Sequence, residues 1–345
     1  MEMFRLPQKA LLVKKSADSS RTCFQSSPSA VNRNTGGERM RIGVIGAGAL
    51  GLYYGALLRR AEHDVHFLMR RDFQVVSSKG LKVISPQGNF HLADIRAYRN
   101  SREIGPVDLV LVGLKTYANE QLVELTRPLV APGTTILTLQ NGLGNEEVLA
   151  TAFDSQQIVG GVAFLCCNRG EPGTVHHLDQ GSIRIAEFFG GLSLRVEQLA
   201  ATFSQAGIPC EACTDLARIR WEKLVWNIPF NGLCALTGLP TDRLLSCPET
   251  RQLITALMQE VIDAANRQGL SQPIEAPAFI GRMLQVTAGM GAYRPSMMID
   301  RQQAAPLELD AIYRIPLERA AEAGTPMTRV AMLHALLEAT ESSKP

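Results

Sequence analysis

The sequence lacks any apolar stretch long enough to cross a membrane. One of its longest, VDLVLVGL at 107–114, is interrupted by Asp108 and falls far short of the roughly 20 residues that a membrane-spanning helix needs. The sequence also lacks an excess of charge of one sign, because it has 35 Lys and Arg residues and 33 Asp and Glu residues, for a net charge of +2. A nucleic-acid binder would carry a dense basic stripe. We therefore expect a soluble, cytoplasmic protein with small-molecule partners and no nucleic-acid or membrane partner.

Cysteine and histidine lack the spacing of disulfide frameworks or metal sites. The seven cysteines are an odd number, and only Cys210 and Cys213 have C-x-x-C spacing, without a second pair or a ligating His nearby. We interpret this pair as part of an ordinary strand or loop. His63, His66 and the adjacent histidines at 176–177 also lack metal-ligand spacing, which favours solvent-facing or hydrogen-bonded structural roles and predicts no metal site.

The chain length and composition suit a globular protein of two domains. Its 345 residues are 46% hydrophobic and 20% charged, which provides ample material for a core. Residues 1–39 are Ser-rich and precede the first strand pattern. We predict that they form a disordered extension, or that an upstream start codon precedes a natural Met40.

From residue 40 onward, short apolar strands alternate with helical stretches; the clearest strands are RIGVIGAG, DVHFLMR, DLVLVGLK and TTILTLQN. This alternation predicts a Rossmann-like α/β domain with a doubly wound parallel sheet over 40–213. Within it, 158–188 is β-rich and is expected to extend the sheet in antiparallel fashion, before a helix at 194–206. Strand patterns vanish after 214, which predicts an all-α domain over 214–345.

A glycine-rich loop follows the first strand directly and precedes a helical pattern. Its glycines satisfy G-x-G-x-x-G, a spacing that permits a tight turn, close approach of a pyrophosphate and close helix packing. The helix N-terminus would favour the anion. The predicted cofactor-binding residues of this loop are Gly46, Ala47, Gly48, Ala49, Leu50 and Gly51. A glycine-rich turn with no ligand is the alternative.

Polar residues follow three later strands at the sheet edge where α/β proteins bind ligands. Arg70 and Arg71 stand where an acid would bind the ribose of NAD, which favours the 2′-phosphate of NADP. Two solvated arginines are the alternative. Lys115 could meet the cofactor or a substrate anion, and Asn141 is either a site residue or part of a turn with Gly142.

The stretch WEKLVWNIPFN at 221–231 places polar residues at four-residue intervals in an apolar helix pattern. Lys223, Asn227 and Asn231 therefore share one helix face. In apolar surroundings these groups need either buried protein partners or a bound polar molecule. Pro229 lies inside the pattern and favours a kink.

Five motifs in this order resemble the ketopantoate reductase family: GAGALG, GLK, QNGLGN, WEKLVWNIPFN and RPSMMIDRQQAAPLELD. The resemblance extends from 40 to about 340. It implies NADPH-dependent reduction of 2-dehydropantoate to pantoate, a step towards pantothenate and coenzyme A. It also implies a general acid at Lys223 and a second catalytic residue at Glu308. The implied substrate-binding residues are Asn141, Asn227, Asn231 and Ser296. Lys115 and Asn141 are implied on the cofactor side.

Two departures from the family pattern leave other functions open. A family asparagine has no counterpart in PTDRLLSCP, and a usual serine pair is Pro295 and Ser296 here. One alternative is therefore a related dehydrogenase that acts on another 2-oxo acid. Another is a dinucleotide-sensing protein without turnover. A homodimer through the helical half is compatible with the sequence, as is a hinge near 210–215.

Overall fold

The computed structural model describes residues 39–342, all of them within one compact unit that spans 38–345. The predicted disordered extension therefore lies outside the described residues, except for Arg39. Within the described residues, strands form one mixed sheet: β1 (Arg41–Ile45), β2 (Asp64–Leu68), β3 (Leu81–Ile84), β4 (Phe90–Leu92), β5 (Arg96–Tyr98), β6 (Leu109–Val112), β7 (Thr135–Thr138), β8 (Ile158–Arg169), β9 (Thr174–Glu187) and β10 (Cys210–Ala212).

The helices fall into two groups along the chain. Those that accompany the strands are α1 (Ala49–Arg60), α2 (Phe73–Lys79), α3 (Leu122–Thr126), α4 (Asn145–Ala150) and α5 (Leu194–Gln205). Those that follow the last strand are α6 (Leu216–Thr237), α7 (Thr241–Ser246), α8 (Pro248–Ala265), α9 (Ala276–Gly289), α10 (Ser296–Gln302), α11 (Ile315–Glu322) and α12 (Thr328–Ser342). The predicted α/β half followed by an all-α half is confirmed.

The sheet runs in the order β4-β3-β9-β8-β7-β6-β1-β2-β5, with β10 beside β9. From β8 to β5 all neighbours are parallel, and β6 and β7 are fully buried, as expected for strands covered by helices on both faces. Because parallel strands end at the same edge, the residues after β1, β2, β6 and β7 are brought together there.

The antiparallel extension also has the predicted form, since β8 and β9 pair in antiparallel fashion. The sheet then continues further than the sequence pattern indicates, through β3, which is parallel to β9, and β4, which is antiparallel to β3. These strands and β5 are three or four residues long, too short to show a clear alternation of apolar and polar residues. The sequence therefore gave no signal for them.

Helix α6 is the centre of the helical half and packs against α8, α10 and α12. It begins where the Asp215 side chain accepts a hydrogen bond from the Arg218 N–H, and it ends at Gly238, whose φ is 71°. The helix continues through Pro229. No helix within 39–342 has both the length and the apolar character needed to cross a membrane.

Candidate active site

The glycine loop after β1 leaves open space at one of its three glycines. A Cβ on Gly46 (φ 93°) would lie 2.4 Å from the Leu114 nitrogen, and one on Gly51 would lie 2.2 Å from the Gly46 carbonyl oxygen. These two glycines allow strand, turn and helix to pack closely. A Cβ on Gly48 would instead have only the Gly113 oxygen within reach, at 4.0 Å. Gly48 precedes the first turn of α1, whose N–H groups have no partner within the helix, so the loop fits a pyrophosphate.

Arg70 lies beyond the carboxyl end of β2 and is exposed, as is Arg71. The Arg70 guanidinium donates a hydrogen bond to the side-chain oxygen of Gln121. Asp72, the nearest acid in the sequence, is buried and forms an ion pair with Arg169. The Asp72 carboxylate is therefore paired with an arginine other than Arg70.

Lys115 follows β6 and is the centre of a partly buried charge network. Its Nζ lies 2.6 Å from Oδ2 of Asp300 and 3.1 Å from Oε2 of Glu308. The other oxygen of Glu308 accepts a 3.0 Å hydrogen bond from the Thr116 N–H, and the Asn141 side chain also hydrogen-bonds this carboxylate. The sheet edge and the helical half are thus joined through one ammonium group and two carboxylates.

The charged forms of Glu308 and Lys115 are both favoured in this network, although burial opposes each of them. Burial alone would raise the pKa of Glu308, but the Lys115 ammonium and the hydrogen bonds from Thr116 and Asn141 hold it below its ordinary value. Burial would lower the pKa of Lys115, but Glu308 and Asp300 raise it above its ordinary value. Glu308 is therefore an anion at neutral pH, fixed by donors on two sides.

Asn141 begins a turn that packs directly against the helical half. Gly142 has a φ of 78°, and a Cβ there would lie 2.2 Å from the Ala311 carbonyl oxygen. The Leu143 N–H donates a 2.9 Å hydrogen bond to the same oxygen. The two interpretations of Asn141 are therefore compatible: a left-handed glycine makes the turn, and the asparagine side chain reaches Glu308.

The polar face of α6 carries the three residues that the spacing predicts. Lys223 donates a hydrogen bond from Nζ to the Ala163 carbonyl oxygen of β8. Asn231 is buried, and its Oδ1 accepts from the Met297 N–H at 3.2 Å and from the Ser296 hydroxyl at 3.5 Å. Asn227 is buried as well, but its Nδ2 has no hydrogen-bond partner among the described residues. Such a buried N–H group can donate to a bound polar molecule or to an ordered water.

Lys223 has the electrostatic environment of a proton donor. Burial, the main cause, and the nearby Arg220 lower the pKa of Lys223, while Cys166 and Glu308 act in the opposite direction. The resulting pKa is about 8. An ammonium group with a pKa near the working pH donates a proton far more readily than an ordinary lysine.

The structure places the predicted residues in two groups that α10 connects. Ser296, at the start of α10, contacts Asn231, and Asp300, one turn later, contacts Lys115. Glu308 is paired with Lys115, whereas Lys223 bonds to the main chain of β8. Sequence reasoning missed Asp300, although its position four residues after Ser296 places both side chains on one helix face.

Family models match both halves of the chain. Residues 42–190 match the family model described as ketopantoate reductase PanE/ApbA, and residues 215–341 match the model of the C-terminal part of the same family. A 2-dehydropantoate 2-reductase from a Nostoc species is 41% identical over 296 residues, which cover 84% of this chain and 92% of that protein.

Solved structures show the same relationship. The 2-dehydropantoate 2-reductase from Geobacter metallireducens is 56% identical with a TM-score of 0.86, covering 87% of this chain and 99% of that one. A D-mandelate dehydrogenase with NADH and anilino(oxo)acetate is 20% identical with a TM-score of 0.81, covering 88% of this chain and 98% of that one; at that identity it shows a shared fold alone. With family models matching both halves, the chain belongs to the ketopantoate reductase PanE/ApbA family.

Proposed function

We propose that this protein reduces 2-dehydropantoate to pantoate with NADPH, in the cytoplasm, as part of pantothenate biosynthesis. The observation that carries the proposal is the Asn227 side chain, which lies one helical turn after Lys223 and whose buried Nδ2 has no partner within 39–342. A substrate oxygen bound there would satisfy the amide and lie within reach of the lysine. The names of the relatives from Nostoc and Geobacter support this choice of substrate.

The cofactor, when bound, supplies a hydride to the C2 carbonyl carbon of the substrate. The Lys223 ammonium stabilises the negative charge that develops on the carbonyl oxygen and then donates a proton to it. The Ala163 carbonyl oxygen orients this ammonium. The reaction consumes one proton, which solvent returns to Lys223 after product release.

The other site residues bind and orient the substrate. Asn227 donates to a substrate oxygen through Nδ2. Ser296 donates to the substrate carboxylate, and Asn231 holds this serine through its Oδ1 atom. Glu308 is held as an anion by Lys115 and Asn141, so it accepts a hydrogen bond from the substrate hydroxyl and fixes the orientation of the reacting carbonyl.

The choice of NADP over NAD rests on the side chains around the ribose position. The loop from Gly46 to Gly51 would hold the pyrophosphate of a bound NADPH, Lys115 would lie on the cofactor side, and Arg70 would pair with the 2′-phosphate. The nearest acid, Asp72, is occupied by Arg169. An exposed guanidinium without a competing carboxylate favours the additional phosphate.

A homodimer through the helical half is a further part of the proposal. Met332 and Leu336, four residues apart on α12, are 64% and 52% exposed, and two large apolar side chains on one helix face suit a contact between copies. Light scattering on the wild type and on Leu336→Glu tests this; a monomer in both would overturn it.

The function is tested by following NADPH absorbance with purified protein and 2-dehydropantoate, with NADH and several other 2-oxo acids in parallel. We expect rapid turnover with NADPH and slow turnover with NADH. Lys223→Ala should lose at least about 10²-fold in kcat while it still binds NADPH; Lys82→Ala, an exposed lysine on β3, is the control. If a different 2-oxo acid were reduced faster, that acid would be assigned as the substrate in place of 2-dehydropantoate. Cofactor binding without any turnover would indicate a dinucleotide sensor.

A further inference from the structure

Arg220 is a buried arginine on α6, one helical turn before Lys223. Its guanidinium donates from Nε to Glu146 Oε1 at 3.1 Å, and its Nη2 also bonds to Glu146. Nη1 donates to the Gln140 carbonyl oxygen at 2.5 Å, and Nη2 to the Thr138 carbonyl oxygen at 3.3 Å. The two charged side chains are only 3% and 4% exposed.

The carboxylate partner of Arg220 also has a defined position in the fold. Glu146 lies in the first turn of α4, where a negative charge is favoured. A Cβ on Gly160 of β8 would lie 2.4 Å from its Oε1 atom, so this glycine makes room for the carboxylate. The ion pair therefore joins α6, α4 and the end of β7 at a point covered by β8.

The carbonyl groups that Arg220 binds lead directly to a site residue. Thr138 ends β7, Gln140 follows, and Asn141 is the next residue. The Gln140 side chain is itself held, since its Nε2 donates to Asn119 at 2.8 Å and its Oε1 accepts from the Thr138 hydroxyl at 3.0 Å. Through Arg220, the turn of α6 that carries Lys223 is fixed relative to the strand end that carries Asn141.

Stability alone does not account for a buried ion pair at this position. Well-packed apolar residues of similar volume often stabilise a protein as well as a buried pair does, or better. The charge itself is what an apolar replacement would lack. The charged groups that act on Lys223 are Arg220 on its own helix, which lowers the pKa of the lysine, and Glu308 after α10, which raises it. The Cys166 thiol on β8 is neutral near pH 8, because burial raises its pKa to about 11.

We propose that Arg220, paired with Glu146, is a positioning residue for the reduction: it fixes Lys223 relative to Asn141 and supplies a positive charge that favours proton release from the lysine. The proposal rests on the general-acid role of Lys223. Because Arg220 is only 3% exposed and its guanidinium bonds to Glu146 and to main-chain carbonyl groups, it acts through Lys223 and Asn141.

Two charge-removing variants give opposite expectations. Arg220→Gln removes the positive charge, so the pH at which kcat of reduction falls should rise by about half a unit or more. Glu146→Gln leaves the guanidinium without its anion, so that pH should fall. A pair with a purely structural role would shift the pH profile in the same direction in both variants, or not at all.

Two further variants separate charge from geometry. Arg220→Lys keeps the positive charge but loses the multiple hydrogen bonds, so kcat should drop about tenfold without a change in the position of the pH profile. The double variant Arg220→Leu and Glu146→Leu replaces the ion pair with two apolar side chains. It should fold with an unchanged or higher Tm, but its kcat should be at least about tenfold lower. Normal kcat in the folded double variant would overturn the proposal.

The protonation of Lys223 can also be read without turnover. Acylation of the lysine by an amine-selective reagent, followed by peptide mass spectrometry across pH 6–11, reports its pKa in every variant, with the exposed Lys82 as internal reference. We expect the same opposite shifts; their absence would overturn the electrostatic part. If Lys223→Ala were fully active, the proposed function of the lysine would fail, while the acylation shifts would still decide whether Arg220 controls its charge.

Discussion

The ammonium nitrogen of Lys115 lies 2.6 Å from the carboxylate of Asp300, so the carboxyl end of a sheet strand is tied to the first helical turns of α10. The same nitrogen lies 3.1 Å from Glu308. One cation is therefore shared by two carboxylates, and Glu308 depends on it for its charge. Glu308 is thus paired with a residue that lies almost two hundred positions earlier in the chain (a separation of 193).

Replacing Lys115 by Met should make stability depend on pH in a defined way. The folded-state pKa of Glu308 is depressed, so its contribution is present above the unfolded pKa of roughly 4.3 and is lost as pH falls through the folded value. Without Lys115, burial raises that pKa. The variant should therefore lose several degrees of Tm at pH 7, with a difference from the wild type that shrinks as pH falls through the raised pKa of Glu308 in the variant and shrinks further below roughly pH 4.3. A difference in Tm that is constant from pH 4 to 8 would contradict this, and Lys82→Met is the control.

The reduction rate should have an alkaline limit set by Lys223. Its pKa is about 8, and the ammonium form is the proton donor. The kcat of reduction should therefore fall about tenfold per pH unit above 8, and that of the reverse oxidation should rise over the same interval. Initial rates from pH 6 to 10 in both directions check this; a flat profile for reduction up to pH 10 would exclude the assignment.

Asn227→Leu should separate binding from stability. Among residues 39–342, Nδ2 of Asn227 has no hydrogen-bond partner, so the variant removes a cost of about 1–3 kcal/mol and should keep or raise Tm. KM for 2-dehydropantoate should rise at least about tenfold. Asn266→Leu is the matched control, because Asn266 bonds to the Ile274 N–H and carbonyl; it should lower Tm and leave KM unchanged. A lower Tm for Asn227→Leu would mean that the amide has a structural partner.

Two alanine substitutions in the glycine loop should differ in their effect on folding. Gly51→Ala places a methyl group 2.2 Å from the Gly46 oxygen, so it should lower Tm and weaken NADPH binding together. Apart from its chain neighbours, the nearest described atom to a Cβ at Gly48 is the Gly113 oxygen at 4.0 Å. Gly48→Ala should therefore keep Tm near the wild-type value while NADPH binding weakens at least about tenfold. Calorimetry of both variants measures the two quantities, and normal NADPH binding by Gly48→Ala would rule out this position for the cofactor.

Arg70→Gln should reduce discrimination between the two dinucleotides. We expect KM for NADPH to rise about tenfold or more and KM for NADH to change little, since only NADPH carries the phosphate that the guanidinium binds. Arg71→Gln is the matched control on the neighbouring exposed arginine. If both variants raised the two KM values equally, Arg70 would have no role in selecting the cofactor.

The sequence predicts well those features that depend on local spacing. Four-residue intervals place Lys223 and Asn227 on one face of α6, and a strand followed by a glycine loop specifies the cofactor end of the sheet. Lys115 and Asn141 follow from the rule that parallel strands end at one edge. Glu308 entered only through resemblance to a family, because nothing in its neighbourhood distinguishes it from a surface glutamate.

Pairings between distant segments are beyond such reasoning. Lys115 and Asp300 are 185 positions apart, and Arg220 and Glu146 are 74 apart. Each pair forms only after the helical half has packed against the sheet, so neither periodicity nor spacing reports it. The same holds for Nδ2 of Asn227, whose lack of a partner in the described part of the chain is a property of the packed interior.

Helix α6 restricts how this protein can acquire a new substrate. The helix carries Lys223 and Asn227 on one side, while Leu224 and Ile228 on its other sides are fully enclosed in the core of the helical half. A substitution on α6 that changed the substrate preference would also disturb the packing of the core. The start of α10 is freer to vary, because Ser296 is only partly buried and follows an exposed Arg294. Adaptation to other 2-oxo acids should therefore accumulate at α10, with the chemistry on α6 unchanged.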